Sequence, residues 1–284
     1  MSRGLEQPTR VQRDIHGAVD EAWALMRAAP GFLTEREGRF LALAAAATPA
    51  SGKVLEIGSF KGKSTVGLGA VARRLGFDRV VAVDPFTAPA STDPKIGSAT
   101  STYEDFVSSL KAAGVEGHVE AHRGYSRELA ASWKEPIRLL WVDGDHTYAG
   151  AKADVVMFRP YLAEGAVVAL HDTLNLFEGP LRVVVEDLLE SDDFGPAGFC
   201  GSIGWAQFRP RDGSAPKFRA ARRELAKRAR RVLPLLALGR PLSRVERWRF
   251  KLWRSRVPHD AVEPERWMEA VAIAPRQRDV ERAG

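Results

Sequence analysis

The sequence predicts an α/β protein with a doubly wound, mostly parallel sheet. Five short apolar runs, typical of buried parallel strands, alternate with helical segments between residues 53 and 190. Polar residues follow these runs, at the strand ends where such sheets bind ligands. The 284 residues, 45% hydrophobic and 27% charged, suit one large domain, or one domain with an appendage.

The composition excludes several other classes of protein. No apolar run approaches the roughly 18 residues that a membrane-spanning helix needs. The single cysteine, Cys200, excludes an internal disulfide and a cysteine-rich metal site. Because the first residues contain arginine with no apolar stretch behind it, we expect no targeting peptide and a cytoplasmic protein.

Two helices are predicted before the first strand. Apolar residues recur every three or four positions over residues 10–30, which indicates the first helix. Thr34 and Glu37 have the spacing of a capping box, in which each side chain bonds the backbone of the other residue. They predict a second helix that reaches about Ala47, before a turn at residues 49–52.

The rest of the body alternates between strands and helices. Strands are predicted at 53–58, 79–84, 118–122, 137–143 and 165–171, and the helices between and after them end near residues 75, 113, 133, 162 and 190. Residues 85–101 form a loop long enough to act as a lid. Residues 199–208 predict a strand or hairpin that would place a reversed strand at the sheet edge.

The loop after the first strand points to a nucleoside ligand. Gly58 and Gly62 are four residues apart, which differs from the pyrophosphate-binding G-x-G-x-x-G pattern but lets a ligand approach the backbone. Asp84 ends the second strand, where a carboxylate can accept both hydroxyls of a ribose. The glycines alone would also suit a tight turn, and Asp84 a helix cap. Together they favour nucleoside binding.

Four motifs in this body resemble one enzyme family. Residues 30 to about 208 carry, in order, Gly31-Phe-Leu-Thr with Val54-Leu-Glu-Ile-Gly-Ser-Phe-Lys-Gly-Lys-Ser-Thr, then Val83-Asp-Pro, Trp141-Val-Asp-Gly-Asp-His-Thr-Tyr and Gly165-Ala-Val-Val-Ala-Leu-His-Asp-Thr. They resemble the class I S-adenosylmethionine-dependent methyltransferases, in the O-methyltransferase branch that includes the macrocin and rhamnosyl O-methyltransferases. The resemblance implies a Rossmann-like, seven-stranded sheet whose last strand is antiparallel.

The resemblance also implies roles for individual residues. Those expected to contact the cofactor, S-adenosyl-L-methionine, are Glu56, Gly58, Ser59, Gly62, Ser64, Asp84, Gly124, Ser126 and Asp143. Within this set, Asp84 would bind the ribose hydroxyls, and the turn from Gly124 to Ser126 would contact the adenine. Asp143 would also ligate a metal ion, together with His171 and Asp172.

The same strand-end residues suit methyl transfer to a hydroxyl on chemical grounds. Asp143 and Asp172 are hard oxygen ligands for Mg²⁺, and a bound cation lowers the pKa of a hydroxyl. His146 lies three residues after Asp143, and its ordinary pKa suits a general base. Asp145 could compete as a ligand or cap the next helix, and His171 could be a packed histidine instead of a ligand.

The C-terminal part of the chain differs in charge from the rest. Residues 209–284 carry 21 basic and 9 acidic side chains, whereas the upstream body carries 21 basic and 27 acidic ones. Residues 217–256 alone hold 15 basic and 2 acidic residues, interleaved with leucine and aromatic residues. This pattern is compatible with packing on the body, a homo-oligomer contact, an anionic membrane surface, nucleic acid or disorder.

Three segments follow from this reading. Residues 1–50 would be N-terminal helices covering the cofactor site, residues 51–208 the catalytic domain, and residues 209–284 a basic, aromatic-rich, helical extension. If this extension meets anionic lipid, deletion of everything after Arg209 should leave cofactor binding intact. The predicted function is methyl transfer to a hydroxyl of a small molecule, such as a glycosyl group of a natural product, glycolipid or polysaccharide.

Two alternatives belong to other classes: a nucleic-acid methyltransferase that uses the basic extension, and a nucleoside-binding domain without catalysis. The acidic body, and the lack of an Asn-Pro-Pro-Tyr-like segment after the fourth strand, argue against the first. The combination of Asp143, His146 and Asp172 argues against the second.

Overall fold

A computed structural model describes residues 10–87 and 101–273, and for residues 10–13 the backbone alone. All five predicted parallel strands and the helices between them are present, within a few residues of their expected bounds. Most of the proposed lid, residues 88–100, lies outside the described residues.

The protein is built around a seven-stranded sheet of strand order β3-β2-β1-β4-β5-β7-β6. The strands are β1 (Lys53–Ile57), β2 (Val80–Asp84), β3 (Val119–Arg123), β4 (Ile137–Val142), β5 (Leu162–Leu170), β6 (Phe194–Cys200) and β7 (Ile203–Phe208). β1 to β5 pair in parallel, and β7 is antiparallel to both of its neighbours. The predicted fold class, with an antiparallel last strand, is confirmed.

The reversed strand is not at the sheet edge, where the sequence pattern predicted it. β7 lies between β5 and β6, so β6 forms the edge. The short turn between the strands, with Gly201 at φ +60°, folds β7 back against β6 and inserts it beside β5. The hairpin, one of the two alternatives predicted for residues 199–208, is therefore present, and it adds two strands to the sheet.

Helices cover both faces of the sheet. They are α1 (Arg10–Ala28), α2 (Glu35–Ala47), α3 (Lys63–Leu75), α4 (Tyr103–Ala112), α5 (Ser126–Ala130), α6 (Tyr148–Phe158), α7 (Glu178–Val183), α8 (Pro216–Arg230), α9 (Leu233–Leu236), α10 (Arg244–Arg254) and α11 (Pro264–Val271). A π-helical turn, Val184–Leu189, extends α7.

Each face of the sheet has its own apolar core. Neighbouring residues of a strand point to opposite faces, so Val54 packs with helices α1 to α4 and Leu55 with helices α6 to α8. Burial on both faces explains why the strands are continuous apolar runs instead of alternating ones.

The C-terminal segment, as far as residue 273, is folded onto this body. α8 packs against β6, and the buried guanidinium of Arg222 donates to four backbone carbonyls, those of Leu189, Ser191, Gly195 and Gly213. Trp267 of α11 is fully buried against Phe40 and Trp205, at ring-centroid distances of 5.2 and 4.6 Å. Among the described residues, no helix is both long and apolar enough to cross a membrane.

Candidate functional site

A cavity of about 1200 Å³ opens at the carboxyl ends of the parallel strands. Its walls include residues that follow each of the strands β1 to β5, which agrees with the position predicted from the strand-end polar residues. Such a volume exceeds the roughly 300–1,000 Å³ of ordinary small-molecule pockets. The cavity is therefore large enough for a nucleoside cofactor and a second molecule together.

The loop after β1 forms one wall of the cavity. Gly58 has φ +88°, and a Cβ placed there would lie 2.3 Å from the backbone oxygen of Asp143. Only glycine allows the β1 and β4 loops to approach so closely. The Asp84 carboxylate binds this loop by accepting the backbone N–H groups of Ser59 and Phe60 at 2.8 and 2.9 Å.

Asp84 retains some capacity to bind a ligand. Besides the two loop amides on Oδ2, its Oδ1 accepts the N–H of Phe86 at 2.6 Å. A carboxylate has about four acceptor positions, so one remains. Burial raises the pKa of Asp84, although these backbone hydrogen bonds oppose the rise.

Glu56 lies beneath the cavity instead of in its wall. The side chain is fully buried, and Oε2 accepts the hydroxyls of Ser59, at 3.0 Å, and Thr65. Burial raises the pKa of this carboxyl to about 7. Glu56 thus ties the glycine-containing loop to α3, and its other oxygen, Oε1, has no hydrogen-bond partner among the described residues.

The structure brings most of the predicted cofactor residues to one cavity. Six of the nine contribute to its walls: Gly58, Ser64, Asp84, Gly124, Ser126 and Asp143. The other three, Glu56, Ser59 and Gly62, shape the loop from behind. Gly62 has φ +89° and faces Phe106 of α4.

Three side chains converge at the ends of β4 and β5. Possible ligand atoms of Asp143, His146 and Asp172 all lie within 4.8 Å of one another. His146 Nε2 is 3.3 Å from Asp172 Oδ2 and 3.7 Å from Asp143 Oδ1. The imidazole stacks on Phe177 with ring centroids 4.3 Å apart, which fixes the ring plane. We call these three residues the DHD cluster.

His171 does not belong to the DHD cluster, which differs from the metal site predicted from the sequence. Its ring is 5% exposed and lies between Asp143 and Glu37. Nδ1 is 3.1 Å from Asp143 Oδ1, and Nε2 is 3.8 Å from Glu37 Oε2. His171 directly follows β5, and its side chain is directed towards Glu37 of α2. The next residue, Asp172, has φ +56°, and its carboxylate lies between the two rings, with Oδ2 facing His146 and Oδ1 3.6 Å from His171 Nδ1.

Asp145 also takes a role other than the ligand role considered from the sequence. Its carboxylate accepts the backbone N–H of Thr147 at 2.8 Å. Thr147, not Asp145, is the N-cap of α6 and accepts the N–H of Gly150 at 3.1 Å. Asp145 therefore stabilises the turn before α6.

The electrostatic field at the DHD cluster favours a positive ion. Burial would raise the pKa of Asp143, but the charge of His171 and the nearby imidazole of His146 lower it to about 2. Burial opposes protonation of His146, yet Asp143 and Asp172 raise its pKa above the ordinary value. Two carboxylates thus hold positive charge close to them.

The donor set fits a divalent cation. Two carboxylates and an imidazole are suitable ligands for Mg²⁺ or Mn²⁺. Both ring nitrogens of His146 are buried without a hydrogen-bond partner among the described residues, although Nε2 points at the two carboxylates. A buried, unbonded nitrogen is costly, and coordination of an ion would satisfy it.

Sequence reasoning missed several residues of the cavity. Asp154 of α6 is buried and accepts the hydroxyl of Ser126 at 2.5 Å, and burial raises its pKa to about 6. Sequence reasoning also missed apolar residues at the rim, of which Phe32 and Leu176 are 63% and 64% exposed. Asp154 lies inside a predicted helix, and no local motif distinguished it from a surface residue.

Comparison with known proteins agrees with this architecture. Residues 55–173 match the sequence model of a family described as a methyltransferase domain. The O-methyltransferase NovP is similar in structure, with 12% sequence identity, a TM-score of 0.57, and coverage of 71% of this chain and 100% of that chain. Cofactor-bound Rv0187 from MTB has 22% identity, a TM-score of 0.50, and coverage of 73% and 94% respectively. The structural matches show the shared fold. The residues matched by the family model, 55–173, include the loop after β1 and the whole DHD cluster.

Proposed function

We propose that the protein is a class I S-adenosylmethionine-dependent methyltransferase that methylates a hydroxyl oxygen of a small molecule with the assistance of a divalent cation. The observation that carries this proposal is the DHD cluster in the wall of the large strand-end cavity. The similarity to an O-methyltransferase supports oxygen as the atom that accepts the methyl group.

One part of the cavity would bind the cofactor, and another part would hold the cation and the acceptor hydroxyl. S-adenosylmethionine supplies the methyl group, and a divalent cation lowers the pKa of the acceptor hydroxyl. The glycine-containing loop and Asp84 would bind the nucleoside part of the cofactor, as Gly58 and Asp84 both line the cavity. Asp143, His146 and Asp172 would hold the cation, and the chain then mainly positions the reacting groups.

A glycosyl unit is the acceptor that this arrangement favours. Neighbouring hydroxyls of a sugar can replace water on a cation held by few protein ligands. The exposed rings and chains at the rim, Phe32, Leu176 and Tyr125, offer an apolar contact for whatever carries the sugar. We therefore propose a glycosylated natural product, glycolipid or polysaccharide as the substrate class.

Titration with Mn²⁺ tests the metal part of the proposal without knowledge of the acceptor. Calorimetry of the wild type should show one site, and Asp143→Asn or Asp172→Asn should weaken it at least tenfold. Asp145→Asn is the matched control, because Asp145 is an adjacent carboxylate outside the DHD cluster. The Mn²⁺ affinity of this variant should stay within twofold of the wild-type value. Equal weakening in all three variants would contradict a site built by the cluster.

The same titration separates two roles for His146. As a ligand, which its geometry favours, His146→Gln should weaken Mn²⁺ binding together with turnover. As the general base expected from the sequence, it should leave Mn²⁺ affinity unchanged and lower kcat by about 10² to 10⁴. Binding of S-adenosylhomocysteine should stay near the wild-type value in either case, since His146 belongs to the acceptor side.

A further inference from the structure

The helix α10 has one face packed on the protein and the opposite face open to solvent. Phe250 is 9% exposed and joins the core that also contains Ala226 and Ala229 of α8. At 3.6 residues per turn, Val245, Trp248 and Leu252 lie together on the side opposite Phe250. Val245 is 67% and Trp248 63% exposed, so this side presents large apolar groups to solvent.

Basic residues flank these apolar groups. The same helical geometry places Arg244 and Lys251 on one side of Trp248 and Arg249 on the other. All three are exposed, and none has an ion-pair partner among the described residues. By contrast, the nearby Arg240 is paired with Glu246 at 2.7 Å. We call Arg244, Val245, Trp248, Arg249, Lys251 and Leu252 the outer face of α10.

We propose that the outer face of α10 binds the surface of an anionic lipid bilayer, with the helix lying in the plane of the interface. Its apolar stripe can enter the boundary between headgroups and acyl chains, where tryptophan is favoured. The long basic side chains beside it can reach the lipid phosphates while their stems cover apolar surface. This proposal is independent of methyl transfer.

Two other occupants explain the outer face less well. A second copy of the chain in a two-fold symmetric contact would bring Arg244, Arg249 and Lys251 against the same residues of its partner, and like charges would repel. A nucleic acid would pair with the basic residues and could stack on Trp248, but it would leave Val245 and Leu252 without a favourable contact. Of these three occupants, only the lipid interface offers favourable contacts to both the apolar and the basic residues of the outer face.

Vesicle sedimentation of the full-length protein tests the proposal. The protein should bind vesicles of mixed phosphatidylcholine and phosphatidylglycerol, and binding to pure phosphatidylcholine should be far weaker. Added salt should weaken the binding. The triple variant Arg244→Gln, Arg249→Gln, Lys251→Gln should bind about 100-fold more weakly, at roughly fivefold for each basic residue.

Two comparisons distinguish the outer face from a general effect of charge. The control variant Arg27→Gln, Lys111→Gln, Lys134→Gln removes the same charge from exposed sites elsewhere, and should bind vesicles nearly as the wild type does. The variant Val245→Ser, Trp248→Ser keeps the charge and should lose at least tenfold in vesicle affinity.

Several results would overturn the proposal. One is equal binding to anionic and neutral vesicles, or none to either. Another is equal loss in the two glutamine variants. A third is tighter binding to single-stranded RNA than to the anionic vesicles, with the serine variant unaffected on vesicles. Light scattering that shows a wild-type dimer and a monomeric serine variant would assign the outer face to a second copy.

Discussion

At the residue scale, Glu56 shows how a single buried carboxyl shapes the cavity without lining it. It accepts two hydroxyl groups, from Ser59 and Thr65, and so holds the glycine-containing loop to the start of α3. Full burial disfavours its ionised form, which raises its pKa to about 7. Ionisation of Glu56 therefore costs the folded protein free energy that the unfolded chain does not pay.

We expect Glu56 to make the protein less stable as pH rises. Its folded pKa of about 7 exceeds the unfolded value of 4.5, so the folded state binds more protons between these pH values. The free energy of unfolding should fall over this range, by up to about 3 kcal/mol, and level off above pH 7. In urea denaturation at pH 5 and pH 8, Glu56→Gln should lack this component. An equal pH dependence in wild type and Glu56→Gln would contradict it.

Gly58 should tolerate no side chain. An added methyl group would lie 2.3 Å from the backbone oxygen of Asp143, at a φ of +88° that non-glycine residues avoid. Gly58→Ala should lower the free energy of unfolding by roughly 2–5 kcal/mol and weaken S-adenosylhomocysteine binding. Gly117→Ala is the control, because a methyl group there meets nothing within 4 Å. Wild-type denaturation curves for both variants would show that the β1 and β4 loops can separate at little cost.

At the scale of elements, α2 is anchored at both ends by side chains from other parts of the chain. Its N-terminus has the predicted capping box of Thr34 and Glu37, and Glu37 also accepts the N–H and hydroxyl of Ser202, each at 2.7 Å. At the other end, the buried Arg138 donates to the carbonyls of Ala45, Thr48 and Ala50. α2 is thereby fixed to the β6–β7 turn and to β4.

Removal of the Arg138 guanidinium should destabilise the protein through α2. Arg138→Met would leave three carbonyls near the end of α2 without their donor in a buried setting. We expect a loss of roughly 2–4 kcal/mol in chemical denaturation. Arg27→Met, an exposed position on α1, should change stability by less than about 0.5 kcal/mol. If Arg138→Met lowers the free energy of unfolding by no more than Arg27→Met does, water replaces the guanidinium as the donor to these carbonyls.

At the scale of the whole molecule, the described part of the basic extension, residues 209–273, belongs to the folded body. Trp267 is fully buried between Phe40 and Trp205, and Gln207 of β7 donates to the carbonyl of Val271 at 2.7 Å. Deletion of the extension would expose Phe40 and Trp205 and remove the acceptor of the Gln207 side chain. This packing argues against the expectation that cofactor binding survives without residues 209–284.

Deletion of the residues after Arg209 should therefore prevent the rest of the chain from folding. A chain that ends at Arg209 should show no cooperative unfolding transition at the temperature where the full-length protein is folded, and should not bind S-adenosylhomocysteine. Trp267→Ala, which removes only the buried ring, should lower stability by roughly 3–5 kcal/mol. In contrast, Trp248→Ala removes an exposed ring and should change stability by less than about 1 kcal/mol. If the truncated chain is well folded and binds the cofactor, the fold and cofactor binding do not depend on the residues after Arg209.

The sequence by itself determined the order of strands and helices, the capping box of Thr34 and Glu37, and the strand ends that carry the carboxylates. These features depend on local periodicity and local hydrogen bonds, which neighbouring residues specify. They also sufficed to predict that Asp84, Asp143 and Asp172 would meet at one cavity, since parallel strands end at a common edge.

Only the tertiary structure decided the remaining points. His171 directs one ring nitrogen, Nε2, towards Glu37 of α2, and His146, from the loop after β4, completes the DHD cluster. The hairpin inserts β7 between β5 and β6, and α11 buries Trp267 against Phe40, which precedes it by more than 200 residues. Contacts of this kind depend on the path of the whole chain and on how its surfaces fit together, and local sequence patterns contain no record of either.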